Sequence, residues 1–302
     1  MESNEPDRSH EGLFESVGIV GGGIMGTGLA RHFLSQGLGV TVVEAEENLA
    51  ERFRNRLSKS FEKEVDRGRI NNGAVANYLE KLRVGSDISI LSESRFIIEA
   101  VPEDFALKRR ILKEVEAAAP PDAIISTNTS ALPISALASA LVRTGSFLGA
   151  HFFNPAHVMP LVEVVPGFDT ASEVVNQTLK FLNLTGKKPI RVKECPGFLV
   201  NRILGAYMNE VMWILEGSAG IKEVEEIAKE LGLPMGPISL GEMAGWDVIC
   251  AANETLARYY GGRFEVPPLL KRLAVDGRHG MKTGKGLLDY SVRPPAPTSD
   301  LT

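Results

Sequence analysis

Two patterns of apolar and polar positions alternate along the first two-thirds of the chain. Short runs rich in β-branched residues predict strands at 16–20, 40–45, 96–101, 123–128, 147–153, 161–166 and 189–194. Stretches with apolar residues at helical spacing predict helices at 24–36, 48–68, 105–118 and 172–184. Because several strands are apolar throughout, the alternation predicts a doubly wound, mostly parallel α/β sheet covered by helices on both faces.

The pattern becomes helical beyond the segment "ECPGF" at 194–198. Helices are predicted within 199–218, 221–233, 244–261 and 267–277. No strand signal of any length precedes "GLLDY" near the carboxyl end. The chain is therefore predicted to have three parts, which are a disordered polar leader at 1–14, an α/β domain at 15–195 and a smaller all-helical domain at 196–302.

Composition narrows the class of protein. The chain has 302 residues, of which 44% are hydrophobic and 24% charged, as in an ordinary soluble protein. No apolar run approaches the roughly 20 residues of a membrane helix, and a net charge of −5 argues against nucleic-acid binding. The leader lacks the features of a secretion or transit signal, so we expect a cytoplasmic protein. Cys195 and Cys250 lack metal-ligand spacing, so no metal site is expected.

A glycine-rich loop joins the first strand to the first helix. Gly21, Gly23 and Gly26 form the pattern G-x-G-x-x-G, in which the glycines allow a tight turn, a close approach of pyrophosphate and close helix–strand packing. Glu44 ends the next strand, where a carboxylate binds the ribose hydroxyls of NAD and repels the extra phosphate of NADP. The loop predicts a Rossmann-like domain that binds NAD, the alternative being a merely tight turn.

His151 and Glu163 are titratable residues in two neighbouring apolar strands. The connection between these strands is too short for a helical crossover, so we expect them to run antiparallel at one side of the sheet. A histidine beside a carboxylate can take up a proton near neutral pH, as a hydride-transfer enzyme requires. Sequence alone leaves open a purely structural pair, and His157 is a rival base.

Seven blocks of sequence resemble the L-3-hydroxyacyl-CoA dehydrogenase family. They are "GxGxMG", "IIEAVPEDFALKR", "STNTSALPIS", "HFFNPAHVMPLVEVV", "CPGFLVNRIL", "LGLPMGPISLGEMAGWD" and "KTGKGLLDY". The resemblance covers roughly residues 15–291, and its most specific block is His-Phe-Phe-Asn-Pro with the glutamate downstream.

The resemblance implies a role for each matching residue. His151 would be the general base and Glu163 its orienting partner, while Ser130 and Asn201 would contact the substrate oxygen. The residues expected at the cofactor are Gly21, Gly23, Ile24, Met25, Gly26, Glu44, Glu103, Lys108, Ser130 and Asn154. The family pattern also places the site between the two domains and makes the chain a homodimer joined through the helical domain.

A basic helix carries the candidate coenzyme A contacts. Residues 52–69 contain seven basic and three acidic side chains. Ser60 and Arg67 share a helix face because they are seven residues apart. They match family positions that meet coenzyme A, and Lys63 is a further candidate. The alternative is an ordinary solvated helix face.

The implied activity is the reversible, NAD-dependent oxidation of L-3-hydroxyacyl-CoA to 3-oxoacyl-CoA. Short or medium chains are expected, in fatty-acid β-oxidation or related CoA-thioester metabolism. Ala156, His157 and Pro160 depart from the residues most familiar after Asn-Pro, which leaves open a dehydrogenase of a non-CoA hydroxy acid, similar to gulonate or carnitine dehydrogenases. Leu287 and Leu288 also replace a usual aromatic pair.

Two further alternatives fit the residues less well. A β-hydroxyacid dehydrogenase of the 6-phosphogluconate type shares the glycine loop but uses a lysine base, which the His-Phe-Phe-Asn-Pro block disfavours. A non-catalytic NAD-binding structural or sensor protein would not need His151, Glu163, Ser130 and Asn201 together.

Overall fold

The computed structural model describes residues 14–217 and 219–298. The described residues divide into two compact units, with the division between Cys195 and Pro196. The predicted leader lies outside the described residues except for Phe14, where the prediction of disorder is wrong. The Phe14 ring is buried, with its centroid 5.4 Å from that of Phe96 and 5.1 Å from that of Phe181. Burial of an aromatic ring stabilises this residue in the core.

The first unit is built on an eight-stranded sheet within its described residues. The strands are β1 (Ser16–Val20), β2 (Gly39–Val43), β3 (Leu82–Gly85), β4 (Phe96–Glu99), β5 (Ile124–Thr127), β6 (Phe147–Phe152), β7 (Leu161–Pro166) and β8 (Lys188–Arg191). Their order is β3-β2-β1-β4-β5-β6-β7-β8. Neighbouring strands are parallel except for the antiparallel pair β6 and β7. The predicted fold class is confirmed.

Helices of the first unit connect these strands. They are α1 (Ile24–Ser35), α2 (Glu47–Asp66), α3 (Asn72–Glu80), α4 (Phe105–Ala118), α5 (Ile134–Ala138) and α6 (Ser172–Leu184). Sequence patterning missed β3, α3 and α5. Helix α3 is only nine residues long and none of them is fully buried, and its apolar residues Val75 and Tyr78 pack only partly against the core, so its apolar face is short. The other two elements span only four and five residues.

The central strands form the core of this unit. Every residue of β4, β5 and β6 is buried, and the ring of Phe181 packs between those of Phe33 and Phe96, with centroid distances of 5.8 and 4.8 Å. Burial of each such ring stabilises the fold by roughly 1.5–3 kcal/mol. Polar side chains in these strands are therefore costly unless they have partners. The side chains of Glu99 and His151 have such partners.

The second unit is helical within its described residues. Its helices are α7 (Val200–Glu216), α8 (Ile221–Glu230), α9 (Pro237–Ala244), α10 (Trp246–Tyr260) and α11 (Pro268–Val275), followed by a two-stranded ribbon of β9 (Leu288–Asp289) and β10 (Ala296–Pro297). Sequence patterning missed the short helix α9. Trp246 and Leu270 are fully buried in its core, and Leu287, one of the departures from the family pattern, also packs there. None of the described helices has both the length and the apolarity to cross a membrane.

A buried histidine on α1 is expected to make the fold sensitive to acid. Burial, with Lys187 nearby, lowers the pKa of His32 from 6.5 to about 3. The contribution of His32 to the free energy of unfolding is therefore fully present above pH 6.5. It is lost as pH falls toward 3, because in that range only the unfolded chain binds a proton at this residue. The loss from this residue is up to about 1.4 kcal/mol per pH unit.

Urea denaturation between pH 7 and pH 4 measures this dependence. The free energy of unfolding should fall less steeply with pH in His32→Gln than in the wild type. Equal slopes in the two proteins would show that His32 does not cause the acid sensitivity.

Candidate active site

The antiparallel pair β6 and β7 brings His151 and Glu163 together, as the sequence predicted. The two residues lie directly opposite each other in the strand register. Nδ1 of His151 is 2.7 Å from Oε2 of Glu163, and their side chains are 6% and 0% exposed. A carboxylate this close accepts a hydrogen bond from Nδ1–H and so favours the tautomer in which Nε2 carries the lone pair that can take up a proton. The pair therefore has the geometry of an oriented base.

His157 has a different environment. It lies in the connection between β6 and β7, and its Nδ1 is buried without a hydrogen-bond partner. Burial lowers its pKa, and the nearby positive charge of Arg31 adds to that effect. A base whose pKa is lowered and whose buried ring nitrogen has no hydrogen bond to orient it is a poor proton acceptor. The geometry therefore favours His151 over His157.

The glycine loop has the shape that its sequence predicted. Gly21 adopts a φ of +98°, a value that side chains rarely allow. A Cβ at Gly26 would lie 1.9 Å from the carbonyl oxygen of Gly21, whereas a Cβ at Gly23 would meet no atom within 4 Å. Helix α1 begins at Ile24, and glycine as its N-cap residue leaves the first-turn N–H groups without a side-chain cap. Such a helix start is suited to binding phosphate.

A cavity of about 900 Å³ opens beside this loop. Of the predicted cofactor residues it is lined by Gly21, Gly23, Ile24, Met25 and Glu44. Its walls include Val101 and Pro102, which follow β4, and Leu107 and Ile111 of α4. The cavity lies outside the carboxyl ends of neighbouring parallel strands, where dinucleotides bind in open α/β sheets. The residues present fit an NAD molecule.

Lys108 and Glu103 support the walls of this region. Lys108 is 1% exposed, and its Nζ donates to Oε1 of Glu99 at 2.7 Å and to the carbonyl of Val101 at 3.0 Å. Oε1 of Glu103 accepts hydrogen bonds from Thr129 Oγ1 at 2.6 Å and from the backbone N–H of Ser130 at 3.0 Å. Glu103 therefore holds the turn that carries Ser130. The expected cofactor contacts of Lys108 and Glu103 stay predictions.

Glu99 is a residue that sequence reasoning missed. It is fully buried at the end of β4 and also accepts hydrogen bonds from Thr127 Oγ1 at 2.6 Å and from the N–H of Val101 at 2.7 Å. An acidic residue inside the apolar run "FIIEAV" was the available signal. Its role is to anchor Lys108 and the chain that leaves β4 for α4.

The remaining predicted residues lie on separate elements. Asn154 and Ser130 are exposed on the turns that follow β6 and β5. Asn128, also after β5, accepts a hydrogen bond from the N–H of Phe152 at 2.8 Å, which joins the ends of these two strands. Asn201 is half-buried in the first turn of α7, in the helical unit.

The basic helix α2 forms one wall of a second cavity, of about 520 Å³. Ser60, Lys63 and Arg67 all line it, as their shared helix face predicted. Within the described residues, six basic side chains and one acidic side chain line this cavity: Arg31, Arg52, Arg56, Lys59, Lys63 and Arg67, with Glu64. The Oγ atom of Ser60 is also buried without a hydrogen-bond partner. The cavity is suited to a phosphorylated ligand.

Two family models match the chain. The NAD binding domain of 3-hydroxyacyl-CoA dehydrogenase matches residues 16–195, and the C-terminal domain of 3-hydroxyacyl-CoA dehydrogenase matches residues 197–290. The first model agrees with the predicted cofactor, NAD, which is thereby confirmed.

Similar proteins agree with these matches. The fatty acid oxidation complex subunit alpha of Vibrio campbellii is 36% identical over 275 residues, which are 91% of this chain and 39% of the relative. The chain thus spans about two-fifths of the length of such curated relatives.

Two solved structures are matched by this chain over the whole of their own length. The (S)-3-hydroxybutyryl-CoA dehydrogenase PaaH1 from Ralstonia eutropha is 33% identical, with 92% of this chain and 100% of that chain covered and a TM-score of 0.89. FadB2 of M. tuberculosis is 34% identical with the same coverage and a TM-score of 0.87. Given both family models and these full-length matches, the chain belongs to the 3-hydroxyacyl-CoA dehydrogenase family.

Proposed function

We propose that the protein is an NAD-dependent oxidoreductase that interconverts L-3-hydroxyacyl-CoA and 3-oxoacyl-CoA, with short or medium acyl chains. The observation that carries this proposal is the buried pair of His151 and Glu163, at 2.7 Å, in the unit that also contains the dinucleotide cavity. A proton acceptor and a nicotinamide site in one unit are what hydride transfer from an alcohol requires.

In the proposed mechanism, Nε2 of His151 removes the proton of the C3 hydroxyl while the hydride leaves the same carbon. NAD supplies the hydride acceptor, and the C3 oxygen becomes a carbonyl oxygen. Glu163 stabilises the imidazolium that forms, because its carboxylate accepts a hydrogen bond from Nδ1–H and lies next to the positive charge. Both residues are shielded from water, which strengthens their interaction.

Ser130 and Asn201 are proposed to contact the C3 oxygen. A hydroxyl and an amide group can stabilise the charge that develops on this atom in the transition state. Glu103 supports this role indirectly, since it holds the backbone of the Ser130 turn. Asn154 is proposed to lie near the nicotinamide.

The cavity on α2 favours a coenzyme A thioester over a free hydroxy acid. Coenzyme A carries several phosphate charges, and six basic side chains line the cavity in the described residues. A free acid such as carnitine or gulonate would leave this cluster unused.

The test of this choice compares the rates of NADH consumption with acetoacetyl-CoA, with free acetoacetate and with dehydrocarnitine. Turnover of the thioester alone supports the proposal. Turnover of a free acid alone would replace it with the non-CoA alternative.

Arg67→Glu should separate the two substrate classes. We expect KM for acetoacetyl-CoA to rise about tenfold, equivalent to about 1.4 kcal/mol, because a carboxylate would repel the phosphates. Any turnover of free acetoacetate should be unaffected. Steady-state kinetics measure both.

Lys113→Glu is the matched control for this variant. Lys113 lies exposed on α4 and does not line the cavity, yet its substitution changes the net charge equally. An equal rise in KM for both variants would contradict a specific role for Arg67.

A homodimer joined through the helical unit is proposed as the working assembly. Large apolar side chains are exposed on this unit, among them Ile203, Leu231, Val248 and Val275. A second copy of the chain packed against this unit would remove these side chains from water.

A further inference from the structure

Lys187 is a buried cation that the proposed mechanism does not use. It directly precedes β8 and is 4% exposed. Its Nζ donates to the carbonyl oxygen of Ala156 at 2.5 Å and to that of Met159 at 3.0 Å. Both carbonyls belong to the connection between β6 and β7, residues 153–160. Lys187 therefore holds the chain that links the strands of His151 and Glu163.

Helix α1 holds the same connection from another side. Ala156 is 1% exposed, and a Cβ added at Gly28 of α1 would lie 3.2 Å from both the Cβ and the backbone nitrogen of Ala156. The absence of a side chain at Gly28 therefore allows the connection to sit directly on α1, the helix that begins at the glycine loop. Residue 156 is therefore held by the hydrogen bond from Lys187 and by close packing against α1 at Gly28.

The titratable groups that face Lys187 are two histidines whose pKa values are both lowered. His32 on α1 and His157 in the connection both interact electrostatically with Lys187, and Arg31 lies near His157. Glu64 of α2 is the acidic side chain facing His157, and its carboxylate forms an ion pair with Arg31 at 3.2 Å.

Burial lowers the pKa of Lys187 to about 8. A cation in such a place costs free energy unless its hydrogen bonds repay the loss of water. The ammonium group of Lys187 fixes the positions of the carbonyl groups of Ala156 and Met159.

We propose that Lys187 is a positioning residue for the active site. It fixes the connection at 153–160 and, through it, Asn154 and the strand ends next to His151 and Glu163. Its effect on turnover rests on the proposed function, but its effect on the order of the connection does not.

Hydrogen exchange measured by mass spectrometry at neutral pH tests the structural part. In Lys187→Met, peptides covering 153–160 should exchange at least about tenfold faster than in the wild type, while peptides covering β1 and α1 should be unchanged. Lys188→Met is the matched control, because Lys188 is the exposed neighbour on β8, and it should leave exchange at 153–160 unchanged. If peptides covering 153–160 exchange at the same rate in Lys187→Met as in the wild type, the proposal is overturned.

Steady-state kinetics test the catalytic part. Lys187→Met should lower kcat by about 10- to 100-fold with little change in KM for the thioester. Lys187→Arg, which keeps charged donors, should recover part of the loss. Faster exchange with an unchanged kcat would overturn the link to catalysis. An inactive wild type would overturn the proposed function instead, and the exchange experiment would still decide the role of Lys187.

Lys187→Gln covers the case in which Lys187→Met does not fold. Its amide keeps an N–H donor with a shorter reach, so exchange at 153–160 should rise in this variant as well. Unchanged exchange in a folded Lys187→Gln would overturn the proposal.

Discussion

Replacement of His151 by alanine should lower kcat by about two to four orders of magnitude while NADH still binds. The imidazole is the proposed proton acceptor, and Glu163 orients it across a 2.7 Å hydrogen bond. The dinucleotide cavity is lined by other residues and should keep its shape. Stopped-flow or steady-state kinetics measure the first effect, and quenching or enhancement of NADH fluorescence measures the second.

His157→Ala is the control for the choice of base. His157 lies in the adjoining connection, where burial lowers its pKa. This variant should keep kcat within a few-fold of the wild type. An active His151→Ala protein, or a protein inactivated only by His157→Ala, would show that the base is wrongly assigned.

Replacement of Gly26 by alanine should abolish tight NADH binding. The new Cβ would lie 1.9 Å from the carbonyl oxygen of Gly21, so the loop backbone must move. Backbone N–H groups placed by this loop bind the pyrophosphate. We expect the Kd for NADH to rise by at least about 100-fold, equivalent to about 2.7 kcal/mol. Fluorescence titration gives this Kd.

Two glycine variants separate a damaged loop from a blocked ligand. Gly23→Ala introduces a Cβ that meets no protein atom within 4 Å, so its melting temperature should stay near that of the wild type although NADH binds less tightly. Gly262→Ala also has open space, but it lies in the helical unit, and it should change neither property. Normal NADH affinity in Gly26→Ala would contradict the assignment of the loop.

Local patterns were sufficient to predict the elements that build the site. The apolar runs at β1, β2, β4, β5 and β6 have no side-chain alternation, which is typical of strands covered on both faces. The short connection after His151 also predicted an antiparallel partner. The observed register then adds what spacing could not give, since a one-residue slip would point Glu163 away from His151.

Contacts to backbone groups could not be predicted in the same way. Nζ of Lys187 donates hydrogen bonds to the carbonyl oxygens of residues 156 and 159, and every residue carries such an acceptor. The sequence "TGKKP" therefore gives no sign of which lysine is buried. Glu103 is a similar case, because two of its hydrogen bonds come from the backbone of residues 130 and 131. Only the fold brings these groups together.

The most direct test of the account is the initial rate at which L-3-hydroxybutyryl-CoA reduces NAD to NADH or NADP to NADPH, with the D isomer as a control. The account predicts rapid NADH formation with the L isomer and NAD, little reaction with NADP because Glu44 lines the dinucleotide cavity, and none with the D isomer. A protein that binds NADH but does not oxidise either thioester would contradict the assignment of His151 and Glu163 as the proton-transfer pair of a hydroxyacyl-CoA dehydrogenase.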